Sequence, residues 1–168
     1  MIAVRAFRSA DGPAVIDHVL GIQRREFGLA LEASDQPDLL DVCGHYQHHG
    51  GGFWVATGHV GVVGTVGLLD IGQGHAVLRK MFVAASARGR AAGVASTLLG
   101  RAIDQARTAG LHTLWLGTTE AFTAAHRFYE KHGFERVEPG LLPASFPRMA
   151  VDTRFYRRAL HKPVGAPC

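Results

Sequence analysis

Apolar and polar positions change period several times along this chain, and each change marks an element. Residues 2–7 alternate, with Ile2, Val4 and Ala6 set against Ala3, Arg5 and Phe7, and read as a first strand. Ser9-Ala10-Asp11-Gly12-Pro13 supplies capping residues and a proline suited to a first helical turn. Val15, Ile16, Val19, Leu20 and Gln23 follow at helical spacing. Residues 26–34 fit neither period. A second helix is predicted from Asp35-Gln36-Pro37, with Leu39, Leu40 and Cys43 on its apolar side.

From Gly50 the period falls to two. Residues 53–56 and 60–69 read as strands joined by the short turn Thr57-Gly58-His59, and a third strand runs over 76–83 after Gly72-Gln73-Gly74. These three form an antiparallel meander. Small and basic residues fill 84–93. Ala95, Leu98, Leu99, Ala102, Ile103 and Ala106 then return to helical spacing, with Gly110 placed just past the helix end. Residues 113–117 are a short apolar strand, 122–131 a helical run closed by Gly133, and two short strands near 134–137 and 149–156 finish the sheet. The order β-α-α-β-β-β-α-β-α-β-β, with a β-α-β unit over residues 76–117, predicts an α+β fold. Its sheet is mostly antiparallel with one parallel pair.

Composition narrows the class. The chain has 168 residues, 47% hydrophobic and 19% charged, which suits one domain spanning 1–168 and excludes wholesale disorder. At this length about 70% of the unfolded surface is buried on folding, so metal or disulfide staples are not needed. Glycine is 21 of 168 against a usual share of about 7%, so the backbone turns tightly or approaches a neighbour at several places. No apolar run reaches the ~18 residues of a bilayer span, and Met1-Ile2-Ala3-Val4-Arg5 meets charge too early for a signal peptide. With only Cys43 and Cys168, no disulfide framework is expected, and a reducing cytoplasm is the expected location. The formal charge of +4 suits an anionic ligand such as a phosphate. Basic residues are scattered (Arg24-Arg25, Arg79-Lys80, Arg157-Arg158) and not gathered on one helix with aromatics, so neither a nucleic-acid nor a membrane partner is expected.

Two stretches carry chemistry. Arg88-Gly89-Arg90-Ala91-Ala92-Gly93-Val94-Ala95 lies between a strand and a helix. Gly and Ala let ligand oxygens reach backbone N–H groups, the helix start adds unpaired donors, and Arg88 and Arg90 add formal charge. Together they make a diphosphate cradle, although the same residues also suit a plain tight turn. Further on, Ala125-His126-Arg127-Phe128-Tyr129-Glu130-Lys131-His132-Gly133-Phe134 ends a helix with a glycine stop and an aromatic re-entry. Alone it reads as ordinary packing.

In this order the two stretches resemble the GCN5-related N-acetyltransferase (GNAT) superfamily. Its members hold the pyrophosphate of acetyl-CoA in an R/Q-x-x-G-x-G/A loop after the fourth strand, and an A-x-x-F-Y-E-K-x-G-F helix follows the fifth. Arg88 to Gly93 match the loop with Ala91 at its first glycine; Ala125, Phe128, Tyr129, Glu130, Lys131, Gly133 and Phe134 match the helix at every specified position. By motif the likeness covers residues 53–134, and by element order the whole chain.

The resemblance implies a layered α/β/α, GNAT-like mixed sheet with strands 4 and 5 parallel and splayed. It implies acetyl transfer from acetyl-CoA, a co-substrate used without metal, to a primary amine of a small molecule or peptide by direct attack in a ternary complex. The backbone of Met81, Phe82 and Val83 would meet the pantetheine arm and thioester carbonyl, and the Val83 N–H would polarise that carbonyl. Arg88, Gly89, Arg90, Ala91, Ala92, Gly93, Val94 and Ala95 would hold the pyrophosphate. Tyr129 would stand near the CoA sulfur as the general acid. Homodimers are frequent in the superfamily, and the sequence identifies no interface.

Two departures matter. Many relatives carry a glutamate, a water-linked base, just before the Leu of an L-x-x-M-y-V pattern on the fourth strand. In Val77-Leu78-Arg79-Lys80-Met81-Phe82-Val83 that place holds Val77. Many also place an Asn three residues ahead of the motif alanine to grip the pantetheine, and Phe122 stands there. Glu120, after the fifth strand, is the leading candidate base, and its place also suits a first-turn Glu complementing a helix dipole. Asp70 and His75 read as turn residues. Asp35, Asp38 and Asp41 either attract a cationic amine or cap and solvate a helix. His45-Tyr46-Gln47-His48-His49 lacks a Cys or carboxylate at ligand spacing and reads as a polar loop near the acceptor cleft. Leu142-Pro143-Ala144-Ser145-Phe146-Pro147 either walls the acceptor pocket or crosses the surface, and Trp54 and Trp115 read as core. A dinucleotide-binding oxidoreductase is disfavoured, because the glycine turn lies mid-chain and lacks a G-x-G start. A non-catalytic acyl-CoA sensor stays open while Val77 replaces the glutamate.

Overall fold

The computed structural model describes residues 1–89 and 93–160. Its strands are β1 (Ala3–Ala6), β2 (Gly52–Gly58), β3 (Gly61–Gly72), β4 (His75–Val83), β5 (Thr113–Thr118), β6 (Glu135–Val137) and β7 (Arg154–Ala159). They form one sheet in the order β1-β2-β3-β4-β5-β7-β6, in which only β4 and β5 run parallel. Helices α1 (Gly12–Arg25), α2 (Pro37–Leu40) and α3 (Val42–Tyr46) lie against one face, and α4 (Val94–Thr108) and α5 (Thr123–Lys131) against the other. The mixed α+β architecture expected from the sequence is the one observed. No described helix is long and apolar enough to cross a membrane.

Strand alternation divides the core in two. On β2, Phe53 and Val55 face α1, α2 and α3, whereas Trp54 and Ala56 face α4. On β5, Leu114 and Leu116 face α4, whereas Trp115 packs on the opposite side with Val77 and Phe155. Both helices of the α4 and α5 layer end in the same hydrogen-bond pattern. Gly110 (φ 77°) and Gly133 (φ 87°) take left-handed backbone, and the next residues, Leu111 and Phe134, donate back to Ala106 and Tyr129. A glycine stop of this kind fixes where the chain re-enters the sheet.

The feature that makes a site is the parting of β4 from β5. The two pair only through His75 with Thr113, Ala76 with Leu114 and Val77 with Trp115. Beyond Arg79 the β3–β4 register slips, so that Lys80 and Met81 stand opposite Val66 alone. Lys80 takes φ 53°, and the Thr65 hydroxyl donates to its carbonyl at 2.8 Å, pinning the bulge. A bulge bends its strand and interrupts the ladder, which carries β4 away from β5.

Two expected boundaries are corrected. The second helix is broken at Asp41 (φ −144°), whose carboxylate accepts from the Gly44 N–H at 3.0 Å and starts a new helix. Leu39, Val42 and Tyr46 therefore turn inward, and Leu40 and Cys43 are exposed. The last strand starts at Arg154 and not at 149: Met149 and Asp152 close a turn, each main-chain or carboxylate oxygen accepting from the other residue's N–H at 3.0 Å. Arg90, Ala91, Ala92 and Cys168 lie outside the described residues.

Candidate active site

A cleft of about 1090 Å³ opens where β4 and β5 part. One wall is β4 from Val77 to Val83, and the other is Leu116, Gly117, Thr118 and Thr119 with the start of α5. The end of α1 and the segment after it close one side, and Phe146, Pro147 and residues 149–152 roof it. Of the 142–147 loop only Phe146 and Pro147 reach the cleft, whereas Pro143, Ala144 and Ser145 line a separate pocket beside Trp115; Leu142 and Phe146 anchor the loop against Val77, Trp115 and Phe155.

The cleft begins with one peptide unit. Gly64 faces Val83, and the neighbouring Ala84 N–H donates to Val63 at 2.8 Å, so Val83 sits where its own N–H and carbonyl turn away from β3. The carbonyl accepts from Arg88 Nε at 2.8 Å, which leaves the Val83 N–H directed into the cleft. The carbonyl of the same peptide, that of Phe82, accepts from His18 Nε2 at 3.0 Å. Because a carbonyl only accepts, Nε2 carries the proton. Burial pushes the His18 pKa down and keeps the ring neutral. Hydrogen bonding at the carbonyl end orients and strengthens the N–H at the other.

Arg88 lines the cleft, but its guanidinium also pairs with Glu26 at 2.5 Å. Its partners are Val83 and the end of α1, so in this arrangement it braces the cleft wall. Gly89 (φ 117°) and Gly93 (φ 60°) border open space, where an added Cβ would meet nothing within 4 Å. Gly93 caps α4, and Thr97 is the first residue to donate back to it. The N–H groups of Val94, Ala95 and Ser96 therefore face the cleft end unpaired within the helix, with the partial positive charge that a helix start carries. Lys131 and His132 stand on the same rim; His132 Nδ1 donates to Phe128 at 2.8 Å, so its Nε2 accepts from Ser96 at 3.2 Å. Met81, Phe82 and Val83 all line the cleft, as do Gly93, Val94 and Ala95.

Tyr129 reaches the cleft from α5 with its ring held between Phe134 and Tyr156, at centroid distances of 5.6 and 6.1 Å. Burial, with Tyr156 beside it, raises its pKa well above that of an ordinary phenol, so the hydroxyl stays protonated. Phe122 stacks on Phe27 across the cleft at 3.8 Å. Glu120 is not brought to the cleft wall. Its carboxylate pairs on the surface with Arg154 at 3.3 Å and Arg136 at 3.5 Å, and its backbone N–H donates to Thr153. Val77 is buried in apolar contact with Trp115.

Sequence reasoning missed the polar groups on the α1–α3 side. Lys80 Nζ donates to Gln36 at 2.7 Å and lies 3.7 Å from Asp38, which accepts from the Tyr46 hydroxyl at 2.6 Å. Gln23 and Gln36 exchange amide hydrogen bonds at 2.9 and 3.2 Å. This buried network ties the α2 segment to the β4 bulge. The three aspartates of that segment are occupied structurally: Asp35 accepts from the Glu32 N–H, Asp38 serves the network, and Asp41 caps α3. Asp70 likewise accepts from Gly50 and Gly72, a turn role. Arg79 is different. It is half-buried, lines the cleft and has no hydrogen-bond or ion-pair partner among the described residues. Asp152 lies opposite, on the roof. Two adjacent cations in an apolar central strand are the signal that could have found Arg79 and Lys80. Among the described residues no group of His, Cys, Asp or Glu converges to hold a metal ion.

The model of the Acetyltransferase (GNAT) family matches residues 16–134. The chain belongs to that family. An acetyltransferase of the GNAT family from Staphylococcus aureus Mu50 superposes on this chain with a TM-score of 0.90 at 33% identity, over 96% of this chain and 100% of that one. An acetyltransferase from Streptococcus agalactiae 2603 does so at 0.89 and 27%, covering 95% and 98%. Among curated relatives, an N-acetylaspartate synthetase of Danio rerio is 33% identical over 79% of this chain and 50% of its own length. The chain thus spans about half the length of such relatives. It covers 84% of the uncharacterized N-acetyltransferase YjgM of Escherichia coli, at 28% identity.

Proposed function

We propose that this GNAT enzyme moves an acetyl group from acetyl-CoA to a small primary amine that carries a carboxylate. The observation that carries the first half is the pair of donor sets on one cleft: the Val83 N–H in the parted strands, and the open N-terminus of α4 at their end. Backbone donors in a splay suit an amide-bearing arm and a thioester carbonyl, and a helix start suits a pyrophosphate. The second half rests on Arg79, an unpaired guanidinium in the cleft wall, which fits a carboxylate through two parallel hydrogen bonds. The name of the N-acetylaspartate synthetase relatives fits an acceptor of that kind.

The transfer needs no covalent enzyme intermediate. An alkyl ammonium of pKa about 10.4 first loses a proton. The amine nitrogen then attacks the thioester carbon; the C–N bond forms, the C–S bond breaks, and the nitrogen's second proton leaves to solvent. Val83 N–H donates to the developing oxyanion, and the Tyr129 phenol protonates the departing thiolate before regaining its proton from water. The test is thiol release from acetyl-CoA with L-aspartate, L-glutamate, glycine, spermidine and a short peptide as acceptors. Fastest turnover with the dicarboxylic acids is expected. Faster turnover with spermidine would contradict the role given to Arg79. Acetyl-CoA binding without turnover on any amine would favour the acyl-CoA sensor.

A further inference from the structure

We infer that Asp152 is the general base of this transfer, taking the proton of the acceptor ammonium inside the cleft beside Gly117. The inference rests on the acetyl-transfer reading, and it fills the place left by Val77, where the strand carries no carboxylate.

Placement comes first. A Cβ built on Gly117 would lie 2.7 Å from both Cγ and Oδ2 of Asp152, so the carboxylate lies flat on the β5 backbone at a position only glycine leaves free. Gly117 is two residues past Trp115, the last residue of β5 that pairs with β4, and therefore on the wall of the splay. The carboxylate is also held from its own side. Met149 N–H donates to Oδ2 at 3.0 Å, and the next residue, Thr153, donates its N–H to Thr118 of β5 at 2.9 Å. Oδ1 has no partner among the described residues and is open to a proton.

Competing carboxylates are committed elsewhere. Of the three on the cleft wall, Glu26 pairs with Arg88, and Asp35 is exposed and bonded to its own turn. Glu120 is off the wall, between Arg136 and Arg154. The charged groups facing Asp152 are Arg79 and Lys80 from β4 and Arg148 from its own loop; β5 contributes none. Burial raises the proton affinity of Asp152 and these three cations lower it, with burial the larger effect. A carboxylate so placed binds a proton more readily than a surface aspartate. The step balances: the ammonium N–H bond breaks, the O–H bond on Asp152 forms, and the proton then passes to solvent, while Arg79 holds the acceptor's carboxylate.

The experiment compares wild type with Asp152→Asn, which keeps an oxygen for Met149 N–H and so preserves the turn. Turnover of the best amine of the panel should fall about 100-fold, with the acetyl-CoA Kd within about twofold by calorimetry. The acidic limb of the wild-type kcat/KM profile should disappear in the variant, an effect that a merely structural aspartate would not produce. Turnover within threefold of wild type, with the acidic limb intact, overturns the assignment. Should Asp152→Asn fail to fold, Gly117→Ala decides: it retains the carboxylate but displaces it, and an unchanged kcat there overturns the assignment equally. No turnover by wild type on any amine removes the acetyl-transfer reading itself, and the base with it.

Discussion

At the scale of single residues, the proposed transfer divides its labour between one phenol, one carboxylate, one peptide and one guanidinium. Tyr129 has its ring packed in the core and its pKa raised by burial, so it is a proton donor and not a base at any physiological pH. Tyr129→Phe should lower kcat by about 100-fold and leave the acetyl-CoA Kd nearly unchanged; steady-state kinetics beside a calorimetric titration read both. Arg79→Ala should raise the KM for a dicarboxylic acceptor about tenfold with little change for acetyl-CoA, since a charge-assisted hydrogen bond contributes about 1.5–3 kcal/mol. Neither change touches the Phe82–Val83 peptide. Residue identity alone singled out Tyr129 through its motif, but not His18 or Asp152. His18 sits on a helix 64 positions from the carbonyl it serves, and Asp152 lies in a stretch whose apolar neighbours Met149 and Val151 imitate a strand.

At the scale of elements, the helix ends are what position the candidate acid. Gly133 at φ 87° closes α5 and lets Phe134 bond back to Tyr129, so helix stop and candidate acid are one unit. A Cβ there would only touch Arg158 at 3.4 Å, so the cost of Gly133→Ala lies in the backbone. It should destabilise by about 1 kcal/mol, a fall of about 2–4 °C in Tm by calorimetry. These glycine stops, the meander and α4 were legible because period and punctuation agree there. The α2–α3 break was not, since Asp41 looks like a helical residue until its carboxylate is seen capping the next turn. Residues 26–34 and 138–148 carry no period at all. Their places are set by side-chain partners outside any helical or strand period, such as Arg24 with Glu32, and Phe146 on Phe155.

At the scale of the whole molecule, the cleft follows from the bulge at Lys80, the one of the sheet's three register shifts that lies where β4 parts from β5. Stability should follow acid conditions in a stated direction. His18, His45 and His75 all have pKa values lowered by burial, so below about pH 6.5 the unfolded chain binds protons that the folded chain refuses. Stability should therefore fall as pH drops from about 6.5 until the depressed folded values are reached. His18→Gln should flatten that slope in denaturant titrations at pH 5 and 7.

The most direct measurement is a calorimetric titration with acetyl-CoA of the wild type and of an Arg88→Ala, Gly93→Asp double variant. Arg88 braces Val83 and Glu26, and Gly93 opens α4, so the pair removes the wall's support and places a carboxylate at the helix start. Saturable binding that the double variant loses, at an unchanged fold by circular dichroism, is the expected result. No heat from the wild type at millimolar acetyl-CoA, or equal affinity in the two proteins, would contradict the cleft's assignment.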